Sequence, residues 1–271
     1  MNFTRPVQFA EAVQSVRVRK LLPTSLTSDQ LAQLPEQLRE HAFFSARQTN
    51  AHFLQLAQTL IDQIISQGDV NTGATQAEPG QMMDRATARL KLKEFLQASG
   101  HMATGDKEDI TDITSDARLN LIIDTQIAMN SGRGHYIKQQ DPEHLDMWPA
   151  QELVRVGYRD NPRGEVEGAD QFSAGSDIAF GGDEWPRRWH AAGGQFYDGR
   201  MIAKKNAPIW RAISDFGHPY PPFAFRSGIG VEDVSRDEAE DLGVIAVDEV
   251  IEPDPDAANM PYIPPGATLS P

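Results

Sequence analysis

The segment 184–194, EWPRRWHAAGG, concentrates two tryptophans, two arginines and one histidine, the side chains in this chain best suited to chemistry. His190 could act as a general base, and an arginine beside it could hold an anion. A general base needs a second group, however, and the sequence contains neither a G-x-S-x-G nucleophile elbow nor a G-x-x-x-x-G-K phosphate loop. We favour the structural alternative, in which Trp185 and Trp189 pin a loop to a sheet while the arginines stack or pair with acids.

The histidines do not have the spacing of a common metal site. No two of them follow the H-E-x-x-H pattern that places two ligands on one face of a helix. A metal site formed by His190, Asp160 and a distant carboxylate is one interpretation, and a histidine bonded to the backbone of a long loop is the favoured one. Acidic residues are numerous, but their spacing singles out no pair. We therefore expect no metal, no cofactor and no catalytic set.

Polar residues interrupt the apolar pattern at 45–53, SARQTNAHF, in the middle of a predicted helix. One interpretation is a polar face that meets another protein, and the other is ordinary surface polarity. The residues alone leave both open.

The N-terminal half is predicted to be helical. Residues 1–27 have weak periodicity and two prolines, which is typical of an extended arm or of a short helix with a linker. Apolar periodicity and end signals then predict four helices, with Ser28 as the first N-cap and Gly132 as the last stop: 28–34, 36–67, 82–99 and 115–132. The predicted inward side chains are Phe53, Ala57, Leu60, Ile61, Ile64 and Ile65, then Ala86, Leu90 and Leu96, then Leu119, Ile122, Ile123, Ile127 and Met129.

The C-terminal half is predicted to be rich in loops around a small sheet. Alternating residues predict strands at 152–158 and 228–234, and the apolar run at 244–247 indicates a third. A capping box at Ser235 begins a short helix over 235–243. The fold class is therefore α+β, with one long helix in the N-terminal half. The predicted regions are a 1–27 N-terminal arm, a 28–140 helical region, a 141–247 loop-rich α+β region and a 248–271 acidic, proline-rich tail.

The totals exclude several classes of protein. The 271 residues contain no cysteine, so disulfides, cysteine-ligated zinc and thiol nucleophiles are excluded. The net charge of −14 opposes binding to nucleic acid, which requires a basic face. No window is apolar enough for a membrane span, and the first residues lack the apolar core of a secretion signal.

Five blocks, in this order, resemble the phage head morphogenesis domain of Mu F-like minor head proteins. They are FFSARQTNAHFLQLAQTLID, ARLNLIIDTQIAMNSGRGHYI, LVRVGYRDNPR, RRWHAAGGQFYDG and PIWRAISDFGHPYPPFAFRSGIGVEDVSRDEAEDLG, and together they span residues 43–243. The family-motif positions are Ser45, Arg47, Thr49, Thr125, Asn130, Gly132, Arg133, Asp160, Arg163, His190, Gly194, Trp210, Tyr220, Pro221 and Pro222.

The chain departs from the family at the last block. Many members carry Cys-Arg-Cys where this chain has AFRSG, so a metal or covalent staple cannot hold this corner here. Aromatic packing on a backbone stiffened by proline would have to replace it. The residues expected to do so are Tyr220, Phe223 and Phe225 with Pro219, Pro221 and Pro222.

The resemblance implies a minor head protein of a tailed phage or prophage that acts in head morphogenesis, and some members travel with the DNA. The implied partners are the portal protein, the major capsid protein or both, with self-association left open and no specific nucleic acid or membrane. The implied location is the virion head or portal region, and the host cytoplasm during assembly. Two alternatives stay open: a hydrolase or toxin-like transferase using His190 with Asp160 or Asp183, and an adaptor for another complex.

Overall fold

The computed structural model describes residues 10–34, 39, 42–66, 83–102, 106–156 and 184–258. The chain divides into two compact units between Lys138 and Gln139. The first unit is mainly helical, and the second contains a four-stranded sheet with short helices. The predicted α+β class, with its sheet in the C-terminal half, is confirmed.

The first unit contains helices and one short pair of parallel strands. Its elements are α1 (Ala10–Val18), β1 (Lys20–Leu21), α2 (Ser28–Ala32), β2 (Ala42–Phe43), α3 (Ala51–Ser66), α4 (Arg85–Ala98) and α5 (Asp116–Gln139). Strand β1 pairs with β2 in parallel, Lys20 against Ala42. The N-cap of α2 is Thr27 rather than the predicted Ser28, because the Thr27 side chain forms a reciprocal capping box with Gln30.

The core of the first unit forms around α3. Its apolar stripe is buried as predicted, and α1 adds Ala12, Val13 and Val16 to the same cluster. Residues 10–18 of the predicted N-terminal arm are therefore a core helix. The apolar periodicity of this segment is weak, so the sequence pattern alone did not indicate a stable helix. Burial of its apolar face supplies the stability.

Helix α3 begins at Ala51, so the predicted helix over 36–67 is wrong in its first part. The Asn50 side chain accepts a hydrogen bond from the amide of Phe53 at 3.1 Å, which caps the helix there. Arg47 has a φ of 57°, a left-handed conformation that a helix cannot contain. The polar segment at 45–50 consequently lies in a turn before the helix, not in its middle.

Helices α4 and α5 correct two further details. The inward side chains of α4 are Ala88, Leu92 and Leu96; the predicted Ala86 is instead exposed, and Leu90 is 56% exposed. Helix α5 continues past Gly132, where the sequence predicted its end. Gly132 is not among the positive-φ glycines of the described residues, and Tyr136 is buried one turn later, so packing carries the helix on.

The second unit contains α6 (Pro142–Met147), β3 (Ala150–Arg155), α7 (Glu184–Ala191), β4 (Phe196–Tyr197), β5 (Arg200–Lys204), α8 (Ile209–Ala212), β6 (Ile229–Val234), α9 (Arg236–Asp241) and α10 (Pro255–Ala258). The strand order is β4-β5-β3-β6, with antiparallel neighbours throughout. Ala150 pairs with Lys204 on one side and with Val234 on the other.

Two strands lie where strands were predicted, and two were not predicted. Strand β3 covers Ala150–Arg155 rather than 152–158, and residues 157 and 158 lie outside the described residues. Strand β6 and helix α9 form where expected, and the Ser235 side chain accepts from the amide of Glu238. The hairpin β4–β5 was missed because its strands are short and follow a glycine-rich stretch. Residues 244–247 are not a strand, since Val244 and Ile245 turn inward beneath the end of α9 and are buried.

The beginning of the predicted acidic tail packs on the second unit. Ile251 belongs to its core, and the Asp254 carboxylate pairs with Arg211 at 3.1 Å. Residues 248–258 are thus part of the folded unit, and the rest of the tail lies outside the described residues. The loop predicted over 164–184 also lies outside them, apart from Glu184, which begins α7.

Candidate functional site

The tryptophan, arginine and histidine cluster folds as helix α7 rather than as a loop. Trp185 and Trp189 are buried, and Trp189 meets Trp210 edge to face at 5.2 Å between ring centroids. The Arg188 guanidinium lies 5.1 Å from the Trp185 ring and pairs with the carboxylate of Asp215. This arrangement agrees with the structural alternative for the cluster, with stacked and paired arginines.

His190 lies in the last turn of α7 with its side chain toward solvent. The carboxylates that the catalytic alternative assigned to it, Asp160 and Asp183, lie outside the described residues, as does Arg163. Within the described ranges, no group of three histidine, aspartate or glutamate side chains could hold a metal ion.

The aromatic corner is a continuous stack. The Tyr220 ring lies 4.1 Å from the His218 ring, nearly parallel to it, and His218 stacks in turn on Phe216. Phe223 packs against Trp210, and its carbonyl accepts from the amide of Asp215 at 2.8 Å. The Pro221–Pro222 peptide bond, the centre of the proline run, is cis. The corner therefore joins the chain between α8 and β6 to the tryptophan core.

A buried polar seam connects several motif positions in the first unit. Asn130 is 0% exposed, and its side-chain oxygen accepts from the Ser15 hydroxyl at 2.8 Å. Its amide nitrogen donates to the carbonyl of Gln126 at 2.7 Å. Arg118, on the same helix, donates to the Ser45 hydroxyl at 3.1 Å. Two blocks of the resemblance thus meet along α5.

The remaining motif positions of the first unit differ in exposure. Arg133 is buried, Thr125 and Gly132 are partly buried on α5, and Arg47 and Thr49 are exposed in the turn before α3. The seam is therefore a structural feature of the fold, and only its outer end at the turn reaches solvent.

A cluster of ionisable residues in the second unit was missed by sequence reasoning. Lys205 is 1% exposed, and its ammonium lies 2.7 Å from a carboxylate oxygen of Asp233 and 2.8 Å from Nε2 of His144. Gln139 donates to the same carboxylate at 3.2 Å. The residues are far apart in sequence and meet because β5 and β6 flank β3, so no local spacing could have indicated them.

Lys205 of this cluster is enclosed by the second unit. Because an ammonium only donates, the short contact makes His144 Nε2 an acceptor and the imidazole neutral. Burial, followed by the charge of Lys205, lowers the pKa of His144 despite the nearby carboxylates. Burial also lowers the pKa of Lys205, against the opposing effect of Asp233. With its ammonium enclosed, Lys205 cannot reach a substrate.

Arg236 gathers the backbone of two exposed segments. Its guanidinium donates to the carbonyl of Asp146 at 2.7 Å and to that of Glu249 at 3.1 Å. Met147 and Val250 each follow one of these carbonyls in the chain, so their backbones lie close together. Both positions carry large apolar side chains, and Val247 lies in the turn just before Val250. The exposed fractions are 56% for Met147, 75% for Val247 and 75% for Val250.

We call this region the Arg236 surface and define it as Met147, Val247 and Val250 with the acidic residues Asp146, Glu240 and Asp248. Arg236 itself is bonded to Asp146 and Glu240. Glu240 also accepts from the amide of Asp248, which fixes the turn. The outward character of the surface is therefore apolar with an acidic rim.

No family model matches the chain, and searches of curated proteins and of solved structures found no match. None of the helices in the described part of the chain has the length and apolar character needed to cross a membrane.

Proposed function

We propose that this protein is a minor head protein of a tailed phage or prophage, docked on the portal and acting in head morphogenesis. The observation that carries the proposal is the Arg236 surface, an exposed apolar area with an acidic rim. The ordered series of motif blocks, which resembles Mu F-like minor head proteins, is the reason for proposing a phage head as the assembly. The virion is accordingly the proposed location.

The Arg236 surface has the composition of a docking site. A group of apolar side chains exposed together marks an interaction surface, because folding of the chain alone favours burying such side chains. Charge on the rim selects partners and speeds their encounter more than it adds affinity. The fitting partner is a protein surface with apolar side chains at its centre and lysine or arginine around them.

The charge of the chain favours a protein partner over packaged DNA. A net charge of −14 repels a polyanion. Among the described residues of the second unit, Trp189 is engaged in packing and Lys205 in pairing with Asp233. These contacts support an assembly role over the hydrolase or transferase alternative.

Substitution of the surface tests the proposal. We would replace Val247 and Val250 together by aspartate, co-express the protein with the portal protein of the same replicon, and measure the ratio of the two after purification. We expect at least a tenfold loss of co-purification, which corresponds to about 1.4 kcal/mol. Met102→Asp, at an exposed apolar position in the other unit, is the matched control and should bind as wild type does.

Two other results are informative. Retention of the wild-type ratio by the double variant would refute the Arg236 surface as the docking site. Co-purification of the wild-type chain with the major capsid protein but not the portal would keep the assembly role and replace the partner.

A further inference from the structure

Two arginines of the first unit, Arg47 and Arg118, meet the turn before α3. Arg118 donates to the Ser45 hydroxyl at 3.1 Å and to the carbonyl of Ala46 at 2.9 Å, so its guanidinium lies against the residue that precedes Arg47. Arg118 is partly buried and Arg47 is exposed. Burial, and then the positive charge of Arg47, lower the pKa of Arg118.

This pair differs from the arginines around it. In the same unit Arg17 pairs with Asp62 at 2.9 Å, and Arg85 pairs with Asp124 at 3.0 Å. Neither Arg47 nor Arg118 has a carboxylate partner among the described residues. The chain has 39 acidic residues against 25 basic ones, so two arginines at one turn without an acid are unexpected.

The turn that carries Arg47 is held by backbone hydrogen bonds. The amide of Arg47 donates to the carbonyl of Leu26 at 2.9 Å, and the amide of Gln48 donates to that of Ser45 at 3.1 Å. The amide of Thr24 donates to Gln48 at 2.8 Å. These bonds fix Arg47 at a φ of 57°, a conformation that L residues seldom adopt, and such outliers cluster at binding sites.

We infer that Arg47 and Arg118 form a binding site for a small oxyanion, a phosphate or a carboxylate group, with the Ser45 turn as its base. Guanidinium groups bind both anions through paired N–H donors. The anion would supply the negative charge that the pair lacks. A discrete anion fits better than a nucleic acid backbone, because Arg118 is recessed and the whole chain is acidic. This inference does not depend on the proposed function.

Calorimetric titration of the full chain with inorganic phosphate, and separately with acetate, tests the site at constant ionic strength. We expect saturable binding of one anion per chain, with phosphate and acetate distinguishing the two sources of the oxyanion. Arg47→Gln should weaken the binding at least tenfold. Arg226→Gln is the matched control and should bind as wild type does, since Arg226 is also exposed and has a φ of 49°.

Thermal unfolding without added anion separates binding from a structural role. Removal of a repelling charge should leave Arg47→Gln at least as stable as wild type, whereas phosphate should raise the melting temperature of wild type only. Binding of neither anion, or equal binding by wild type and Arg47→Gln, would overturn the inference. A variant destabilised equally with and without phosphate would also overturn it.

Discussion

Gly194 lies directly against the indole ring of Trp189. A Cβ atom at position 194 would be 2.3 Å from the indole nitrogen and 2.5 Å from the adjoining ring carbons. The same nitrogen donates to the carbonyl of Gln195 at 2.8 Å, and the amide of Gly194 donates to the Trp189 carbonyl at 2.9 Å. The ring is therefore held against the backbone at position 194, where only glycine fits.

Gly194→Ala should destabilise the second unit by about 2–3 kcal/mol, because the rigid indole or the backbone must move. All four tryptophans lie in this unit, so their fluorescence during denaturant unfolding reports it selectively. The control is Gly193→Ala, where a Cβ meets nothing within 4 Å and only the φ of 82° is unfavourable, for about 1 kcal/mol. Equal losses for the two variants would contradict the close packing.

Asn130→Ala should destabilise the first unit by about 2 kcal/mol, because it leaves the buried Ser15 hydroxyl without its acceptor. The measurement is amide hydrogen exchange, which should become faster in helix α5 and in the rest of the first unit.

A double-mutant cycle supplies the control. If the Ser15–Asn130 hydrogen bond is the cause, Ser15→Ala combined with Asn130→Ala should cost clearly less than the sum of the single changes. Additive losses would mean that the two side chains act independently.

Acidification should destabilise the second unit through His144. Its pKa in the folded state lies below its ordinary value of 6.5, so the unfolded chain binds the proton more tightly. This contribution to stability is complete above pH 6.5 and is lost as pH falls from there toward the folded-state pKa. Tryptophan fluorescence during unfolding at pH 7 and pH 5 measures the difference.

His144→Gln should reduce this pH dependence, since glutamine does not titrate. The charged groups that face His144 are Lys205, Asp233 and Asp141. An identical slope for wild type and variant would show that His144 does not titrate in this window.

Elements with strong local signals were predictable from the sequence. The Ser235 cap and the alternation of β6 require only neighbouring residues, and both occur as expected. The start of α3 was not predictable, because apolar residues upstream prolong the helical period although Phe43 belongs to a strand pair. The continuation of α5 past Gly132 depends on burial against residues that are distant in the sequence. Local helix propensity carries no information about such contacts.

The sites needed tertiary information. Lys205 and Asp233 lie in different strands and meet only through the register of the sheet. The Arg236 surface likewise brings Met147 to Val250, which are separated by most of the second unit. Motif positions such as Ser45 and Asn130 were named from the sequence, but their common seam required the structure.

The most direct test of the proposed function is quantitative mass spectrometry of heads assembled by the replicon that encodes this chain. We predict its recovery from purified virions or from proheads that contain the portal, at a low and fixed ratio to the portal protein. Its complete absence from both kinds of particle would contradict the proposal.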